Sequence, residues 1–417
     1  MNTPTRRDIL RLAGGMGVLA VVGGCARRTP EVPASGELLQ VETSNGLAVL
    51  DTGAGKTVVP PATALATRDL RRLVSVAPQA GGTRLTVRGA SDAQTIAEAT
   101  LRGTLSPRAL TPDASLVALV EGGAADVYRP VGRANTTIVV AGATGERYRI
   151  SLPGCVEPEA FSNDFNRLFV LDYLPPEQPD HYRVRAVELA TGDFGPLATR
   201  DKQLVPPGAE ETMRGEGRQA VFDPMRQMLF TLYTHQEDHE HTRDLLHAGA
   251  RESKPDVHAF VHTLGLDFGW AYCIDLPAPF GTGPADGHAI ARSASGAMVY
   301  VVDAGNGAVA SLDTEMSSLG VRRVARFEPF SGTASACFGP DSRRLFVAAG
   351  ARVTVLDASA LSVAATWSLP GPARGVAVGK SVYVGQDDEV LALNPETGAV
   401  QRRLPVTGLK TTRGVVP

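Results

Sequence analysis

Residues 293–303 read Ser293-Ala-Ser-Gly-Ala-Met-Val-Tyr-Val-Val-Asp303, a polar turn followed at once by an apolar run rich in β-branched residues. The same order of turn and strand recurs six more times in this 417-residue chain, at 67–76, 111–120, 162–171, 222–232, 339–348 and 379–384. Successive turns lie 39 to 72 residues apart. Repetition at this period predicts a solenoid, a propeller or a comparable array of similar units.

Each unit also contains a second hairpin, in which a strand ends at an acidic or amide residue before the chain turns. The segments 50–53, 187–192, 312–314, 355–358 and 393–398 are examples. Asp and Asn side chains cap such turns, and Gly adopts the positive φ that the turns require. Four short strands per unit predict an all-β fold, a single β-propeller of four-stranded blades.

The two ends of the chain predict how the ring closes. The segment 374–378, interpreted as an innermost strand, is echoed by Arg413-Gly-Val-Val416 at the C-terminus. The N-terminal part of the repeat region has only three strand-like runs, at 38–42, 46–51 and 56–59. A C-terminal strand that completes an N-terminal blade leaves few open edges. We therefore expect eight blades, with seven as the alternative because the early repeats are degenerate.

These units resemble the YVTN-type (YncE-like) repeats of bacterial extracytoplasmic β-propellers. The resemblance is strongest at 293–303 and 339–347, covers most of the chain, and is specific to architecture. Such propellers include lipoproteins of unknown role, surface-layer proteins and lactonase-like enzymes. The resemblance therefore implies an extracytoplasmic propeller and does not choose among these functions.

The first 25 residues predict export rather than a fold element. The paired Arg6 and Arg7 resemble a twin-arginine export signal, and a short Gly-rich apolar run follows at 12–22. The segment Val22-Gly-Gly-Cys25 resembles a lipobox, which implies lipidation of Cys25. Residues 26–37, with two prolines, read as a flexible tether to a propeller at 38–417. We expect a lipid anchor in the outer face of a bacterial cytoplasmic membrane; an uncleaved anchor is the alternative.

Composition restricts the class of partner. The chain is 43% hydrophobic and 20% charged, with a formal net charge of -3, so it is globular and has no basic field for nucleic acid. Beyond Cys25 it has only Cys155, Cys273 and Cys337, an odd number far apart. An exported protein that depends on disulfides normally has a denser, even set. We expect buried thiols; one bridge with one free thiol is the alternative.

A histidine-rich insert at about 234–257 is the strongest candidate for chemistry. It coincides with the longest spacing of the repeat, and the histidines in and just after it are His235, His239, His241, His247, His258 and His262. Imidazoles flanked by carboxylates suit Zn²⁺ or another borderline divalent ion. The alternative is a solvated polar loop, because no His-Glu-x-x-His spacing is present.

Other catalytic signals are weak, and no catalytic or cofactor-binding residue is assigned. Glu157, Glu159, Glu210 and Glu211 lie near predicted blade starts, where they are either pocket groups or solvated loop residues. We expect a non-catalytic module that binds or scaffolds a protein, envelope or small-ligand partner. The alternative is a metal-dependent hydrolase or lactonase-like enzyme using the histidine insert. Placement of the histidines at the central axis would favour the enzyme, and placement at the rim would favour the binding module.

Overall fold

The computed structural model of this protein describes residues 36–122, 129–206, 208–214, 216–236, 241–242, 246 and 257–417. The predicted signal peptide 1–25, with Arg6, Arg7 and Cys25, and residues 26–35 of the predicted tether lie outside this range. His239 and His247 also lie outside it. The described residues form eight β-sheets arranged as the blades of a ring.

Blade 1 is built from both ends of the chain, and the other blades follow in chain order. Blade 1 contains β1 (Leu38–Thr43), β2 (Gly46–Asp51), β3 (Lys56–Ala62) and β33 (Leu409–Val416); blade 2 contains β4 (Ala64–Ala66), β5 (Arg72–Gln79), β6 (Gly82–Gly89) and β7 (Thr95–Arg102). Blade 3 contains β8 (Leu105–Leu110), β9 (Leu116–Glu121), β10 (Asn135–Gly142) and β11 (Gly145–Pro153); blade 4 contains β12 (Cys155–Phe161), β13 (Arg167–Leu174), β14 (His181–Glu188) and β15 (Phe194–Pro196). Blade 5 contains β16 (Ala198–Thr199), β17 (Glu216–Asp223), β18 (Met228–Thr234), β19 (Ala259–Gly265) and β20 (Trp270–Asp275). After a 3-10 turn (Ala285–Gly287), blade 6 contains β21 (His288–Arg292), β22 (Met298–Asp303), β23 (Ala308–Asp313) and β24 (Gly320–Arg326). Blade 7 contains β25 (Ser335–Phe338), β26 (Arg344–Ala349), β27 (Arg352–Asp357) and β28 (Ser362–Ser368); blade 8 contains β29 (Val376–Val378), β30 (Val382–Gln386), β31 (Glu389–Leu393) and β32 (Val400–Pro405).

In blades 2 to 8, the predicted repeat turns join the innermost strand to the strand next to it. In blade 2, the Thr67 hydroxyl donates to Asp69 Oδ1 at 2.6 Å, and the same oxygen accepts the backbone N–H of Arg71 at 3.1 Å. Leu70, between them, has φ of 62°. Equivalent hydroxyl–carboxylate bonds join residues 111 and 113 in blade 3 and residues 162 and 164 in blade 4. Local side-chain bonding therefore specifies these three turns.

The ring closes as the sequence predicts. The C-terminal strand β33 pairs antiparallel with β1, which places Leu39 opposite Val415 and completes an eighth four-stranded blade. The prediction of eight blades is confirmed over seven. Glu37, at the end of the predicted tether, is held against blade 8: its carboxylate accepts the Tyr383 hydroxyl and the Lys380 backbone N–H, each at 2.7 Å.

The hydrophobic core lies between successive blades. Phe230 and Val261 of blade 5 share one buried cluster with Val299 and Val301 of blade 6. Trp270, on the outer strand of blade 5, is 4% exposed and packs in that cluster, so its role is core packing. Within the described part of the chain, no helix has the length and apolar character that crossing a membrane requires.

Blade 5 departs from the regular pattern in two ways. The two-residue strand β16 pairs parallel with β20, with Ala198 opposite Trp270, and adds a fifth strand at the outer edge. The predicted insert separates β18 from β19, and a second long connection separates β16 from β17. Both connections bring side chains to the outer strand of this blade.

Candidate metal centre

Three potential metal ligands converge at the outer edge of blade 5. Cys273 lies on β20, Glu211 on the connection between β16 and β17, and His241 in the insert between β18 and β19. One ligand atom from each of these side chains lies within 4.8 Å of the other two. His241 and Cys273 are 2% and 4% exposed, whereas Glu211 is half-buried.

Hydrogen bonds define how this triad is held. The Cys273 thiol donates to Glu211 Oε1, with 2.9 Å between the sulfur and the oxygen. His241 Nε2 lies 2.9 Å from Asp275 Oδ2, two residues further along β20. Asp275 therefore fixes the orientation of the imidazole, as carboxylates behind metal-bound histidines do.

The two loops that carry Glu211 and His241 are tied to each other. The backbone N–H of Glu211 donates to the hydroxyl of Thr242 at 3.2 Å, and the N–H of Arg214 donates to the Gln236 side-chain oxygen at 2.7 Å. Met213 forms a backbone bridge with Tyr182 of blade 4. The loops are therefore anchored to both blades that flank the site.

The donor set suits a borderline divalent ion. Thiolate, imidazole and carboxylate are the ligand types of zinc, at about 2.0–2.3 Å from the metal. Two ligands of a tetrahedral zinc ion consequently lie roughly 3.5 Å apart. The observed donor separations, all within 4.8 Å, need only a small contraction to reach that geometry.

A small cavity lies beside the triad. It encloses about 40 Å³ and is lined by Glu211, Thr242, His262 and neighbouring apolar residues. His262 is buried and lies directly opposite Cys273 in the β19–β20 ladder. The volume suits water molecules, each of which requires about 10–15 Å³ of such space.

The structure separates the predicted histidines. His241 belongs to the triad, and His262 is the cross-strand neighbour of Cys273. His235, with φ of 60°, lies with its ring centroid 6.4 Å from that of His288. His258 accepts the Gln236 backbone N–H through its own carbonyl oxygen. The two other triad members were predicted in different roles, Cys273 as a buried thiol and Glu211 as a pocket or loop carboxylate.

The remaining predicted carboxylates are bound by arginines. Glu157 accepts from Arg108 at 2.6 Å and from Arg133 at 2.7 Å, and Glu159 pairs with Arg218. Both residues lie on β12, the first strand of blade 4, and both are engaged in ion pairs rather than solvated in a loop.

Glu210 is likewise engaged, by Arg185 at 2.5 Å and Arg183 at 3.0 Å. Burial opposes its ionisation, yet the hydrogen bonds and charges of these two arginines hold the pKa of Glu210 below its usual value. It therefore remains a carboxylate at neutral pH and serves to fix the loop that carries Glu211.

All three cysteines of the described residues are free thiols; Cys155 and Cys273 are buried, as expected, whereas Cys337 is partly exposed. Burial raises the pKa of Cys155 and of Cys337. Among the cysteines of the described residues, only Cys273 belongs to a group of potential metal ligands.

The triad lies at the rim and not at the axis. In blade 5, β17 is the inner strand and β20 the outermost of the four antiparallel strands. The central channel contains two adjoining cavities of about 990 Å³ and 510 Å³, lined by inner-strand residues of several blades. Glu211, His241 and Cys273 line neither of them.

Comparison with known proteins identifies the fold alone. No protein-family model matches the chain, and no curated protein matches its sequence. Among solved structures, apo AztD from Citrobacter koseri is similar over 91% of this chain and 96% of its own, with a TM-score of 0.51 and 12% identity. The periplasmic gluconolactonase PpgL from Pseudomonas aeruginosa is similar over 90% of this chain and 98% of its own, with a TM-score of 0.43 and 16% identity. The likeness to AztD shows the β-propeller fold and no activity.

Proposed function

We propose that this chain is an extracytoplasmic binding protein whose propeller holds one divalent transition-metal ion, zinc above all, through Glu211, His241 and Cys273. The single observation that carries the proposal is the convergence of a thiol, an imidazole and a carboxylate from three separate segments onto one spot. This combination matches zinc in ligand type, and Asp275 orients the imidazole from behind.

The size and place of the site favour binding over catalysis. The cavity beside the triad has a volume of about 40 Å³, which suits a few water molecules better than an ester or lactone substrate. The triad also lies on the outermost antiparallel strand, remote from the cavities of the channel. A rim site suits a module that presents its metal or its loops to a protein or envelope partner.

A metal-dependent hydrolase is the second candidate. One observation favours it: three protein ligands leave a fourth coordination position, as catalytic zinc sites do. Glu211, His241 and Cys273 would hold the ion, which would supply Lewis-acid activation of water for hydrolysis at the rim. Hydrolysis of esters or lactones by the metal-loaded protein, lost in Cys273→Ser, would establish this alternative.

The proposed location completes the function. The Arg6–Arg7 pair and the segment ending at Cys25 support export followed by attachment to the outer face of a bacterial cytoplasmic membrane. Labelling with a radioactive fatty acid tests this attachment, with incorporation expected in the natural chain and lost in Cys25→Ser. Equal labelling of the two proteins would contradict lipidation at this residue.

Metal content tests the central proposal. The full chain, purified without chelator and without an affinity histidine tag, is expected to retain about one zinc ion after dialysis. The double variant His241→Ala/Cys273→Ser should retain none, whereas His258→Ala, which alters a histidine outside the triad, should retain the ion. Equal zinc in the natural chain and the double variant would overturn the proposal. Thermal unfolding of each variant confirms that it is folded.

A further inference from the structure

The central channel carries a concentration of positive charge that the rim site does not use. Its 510 Å³ cavity is lined by five arginines, which come from five different blades: Arg68, Arg108, Arg218, Arg292 and Arg413. Several guanidinium groups in one cavity produce a strong positive electrostatic potential, because the surrounding protein has a low dielectric constant and focuses the field.

Three of the five arginines are neutralised by carboxylates. Arg108 is bound to Glu157, Arg218 to Glu159, and Arg413 to Glu42. Glu157 and Glu159 are two of the four carboxylates predicted near blade starts. These three ion pairs do not include Arg68 or Arg292.

Arg68 and Arg292 have no carboxylate ion-pair partner within the described part of the chain. Arg68 lies on the turn after β4. Its guanidinium group lies over the ring of Phe222, with 4.2 Å between the guanidinium carbon and the ring centroid. Arg68 belongs to blade 2 and Phe222 to blade 5, so this side chain extends into the channel and contacts a blade that is not adjacent to its own. Among the described residues, Arg292 donates only to the backbone carbonyls of Ser293 and Ala294, at 3.0 and 3.4 Å.

The surroundings of Arg68 and Arg292 remove part of the water that would stabilise their positive charges. Arg68 is exposed to the channel while the blades surround it, and this partial loss of water lowers its pKa to about 10. Burial also lowers the pKa of Arg292, although the charge of Asp223 partly offsets it, and Asp223 is itself paired with Arg226 at 2.9 Å. Both guanidinium groups remain charged at neutral pH, so a bound anion would restore the interactions that burial removes.

The rest of the cavity indicates what kind of anion fits. Phe222, Phe338 and Ile290 supply an apolar wall beside the arginines. Guanidinium groups match the two oxygens of a carboxylate or a phosphate, and a volume of 510 Å³ falls within the ordinary range of small-molecule sites. We propose that this cavity binds a small organic anion, with its carboxylate or phosphate group held by Arg68 and Arg292 and its apolar part against Phe222 and Phe338.

Calorimetric titration of the full chain tests the proposal with three probes of similar size. Phthalate carries carboxylate groups on an aromatic ring, and phenyl phosphate carries a phosphate group on one. Benzamide supplies the aromatic ring without a negative charge. Saturable binding of phthalate or phenyl phosphate, without binding of benzamide, is expected; the stronger of the two identifies a carboxylate or a phosphate ligand. Absence of saturable binding by both anions would overturn the proposal.

Variants assign the binding to the two arginines. The double variant Arg68→Met/Arg292→Met should lose at least about tenfold in affinity for the bound anion, since each charge-assisted hydrogen bond is strong. Arg71→Met, an exposed arginine on the same turn as Arg68, should bind as the natural chain does. The single variant Arg292→Gln gives the same test if the double variant does not fold. Unchanged affinity in these variants would overturn the assignment.

Discussion

The Cys273 sulfur lies 2.9 Å from Glu211 Oε1, although 62 residues separate the two in sequence. The contact joins the outer strand of blade 5 to the connection that follows β16. A bound metal ion would replace this hydrogen bond by coordination of both groups. The proposed metal site therefore depends on the carboxylate as well as on the thiol.

Replacing Glu211 by glutamine should lower zinc affinity by at least about tenfold, because the amide keeps the shape of the side chain but loses the negative charge that zinc favours. Competition with a chromophoric chelator measures the effect. Glu188→Gln is the matched control, since this half-exposed carboxylate pairs with Arg167 and lies outside the triad. Equal losses in the two variants would contradict a specific role for Glu211.

Replacing Glu157 by glutamine should destabilise the propeller by about 3–5 kcal/mol, because the buried guanidinium of Arg108 and the partly buried one of Arg133 lose their shared carboxylate. Urea unfolding measures the loss. Glu188→Gln, which removes a half-exposed partner of Arg167, should cost less than about 1 kcal/mol. A comparable effect of the two substitutions would show that burial of the Glu157 pair is unimportant.

Asp303 should make stability depend on acid pH. Burial opposes its ionisation, but hydrogen bonds from His288 and Asn306 outweigh that effect and hold the pKa of Asp303 below its usual value. Its contribution is therefore present above about pH 4 and is lost as the pH falls through the lowered folded-state pKa. Asp303→Asn should cost about 1–3 kcal/mol at neutral pH and show a weaker decline in acid.

Urea midpoints between neutral and acid pH, with chelator present, test this linkage. The exposed Asp201 provides the control, because Asp201→Asn should follow the natural chain at every pH. Parallel pH profiles of Asp303→Asn and the natural chain would refute the role of Asp303.

Tyr383 should make stability depend on alkaline pH. Burial, with a further effect of the hydrogen-bonded Glu37 carboxylate, raises the pKa of Tyr383 to about 12. The unfolded value is about 10, so the contribution is complete below pH 10 and is lost as the pH rises toward 12. In Tyr383→Phe the decline of the thermal midpoint across this interval should be smaller, whereas Tyr148→Phe should decline as the natural chain does. A Tyr383→Phe profile parallel to that of the natural chain would contradict this prediction.

The architecture could be predicted because its determinants are local. The hydrogen bond from Thr67 to Asp69, with Leu70 at positive φ, depends on a few adjacent residues. Equivalent bonds occur in blades 3 and 4. Ring closure was also predictable, since the segment ending at Val416 repeats an inner strand and the first blade lacks one. The two-residue strand β16 was not predicted, because so short a segment has no periodicity of its own.

The candidate site could be predicted only in part. The histidine insert was recognisable from composition, and it supplies His241. Glu211 and Cys273 could not be recognised as partners of His241. Long connections bring the three residues together in the fold, and no short sequence spacing indicates that they are neighbours. Glu157 and Glu159 lie on the first strand of blade 4, near a predicted blade start, but their arginine partners lie in other parts of the chain and no local pattern predicts these ion pairs.

Cobalt substitution tests the metal centre most directly, because a thiolate bound to Co²⁺ produces a charge-transfer absorption that other ligands do not. Metal-free full chain titrated with Co²⁺ should develop this absorption, together with the visible bands of a tetrahedral ion, up to about one equivalent. The charge-transfer absorption should be absent in Cys273→Ser and retained in Cys337→Ser. Its persistence in Cys273→Ser, or its absence from the natural chain, would contradict a metal centre at Glu211, His241 and Cys273.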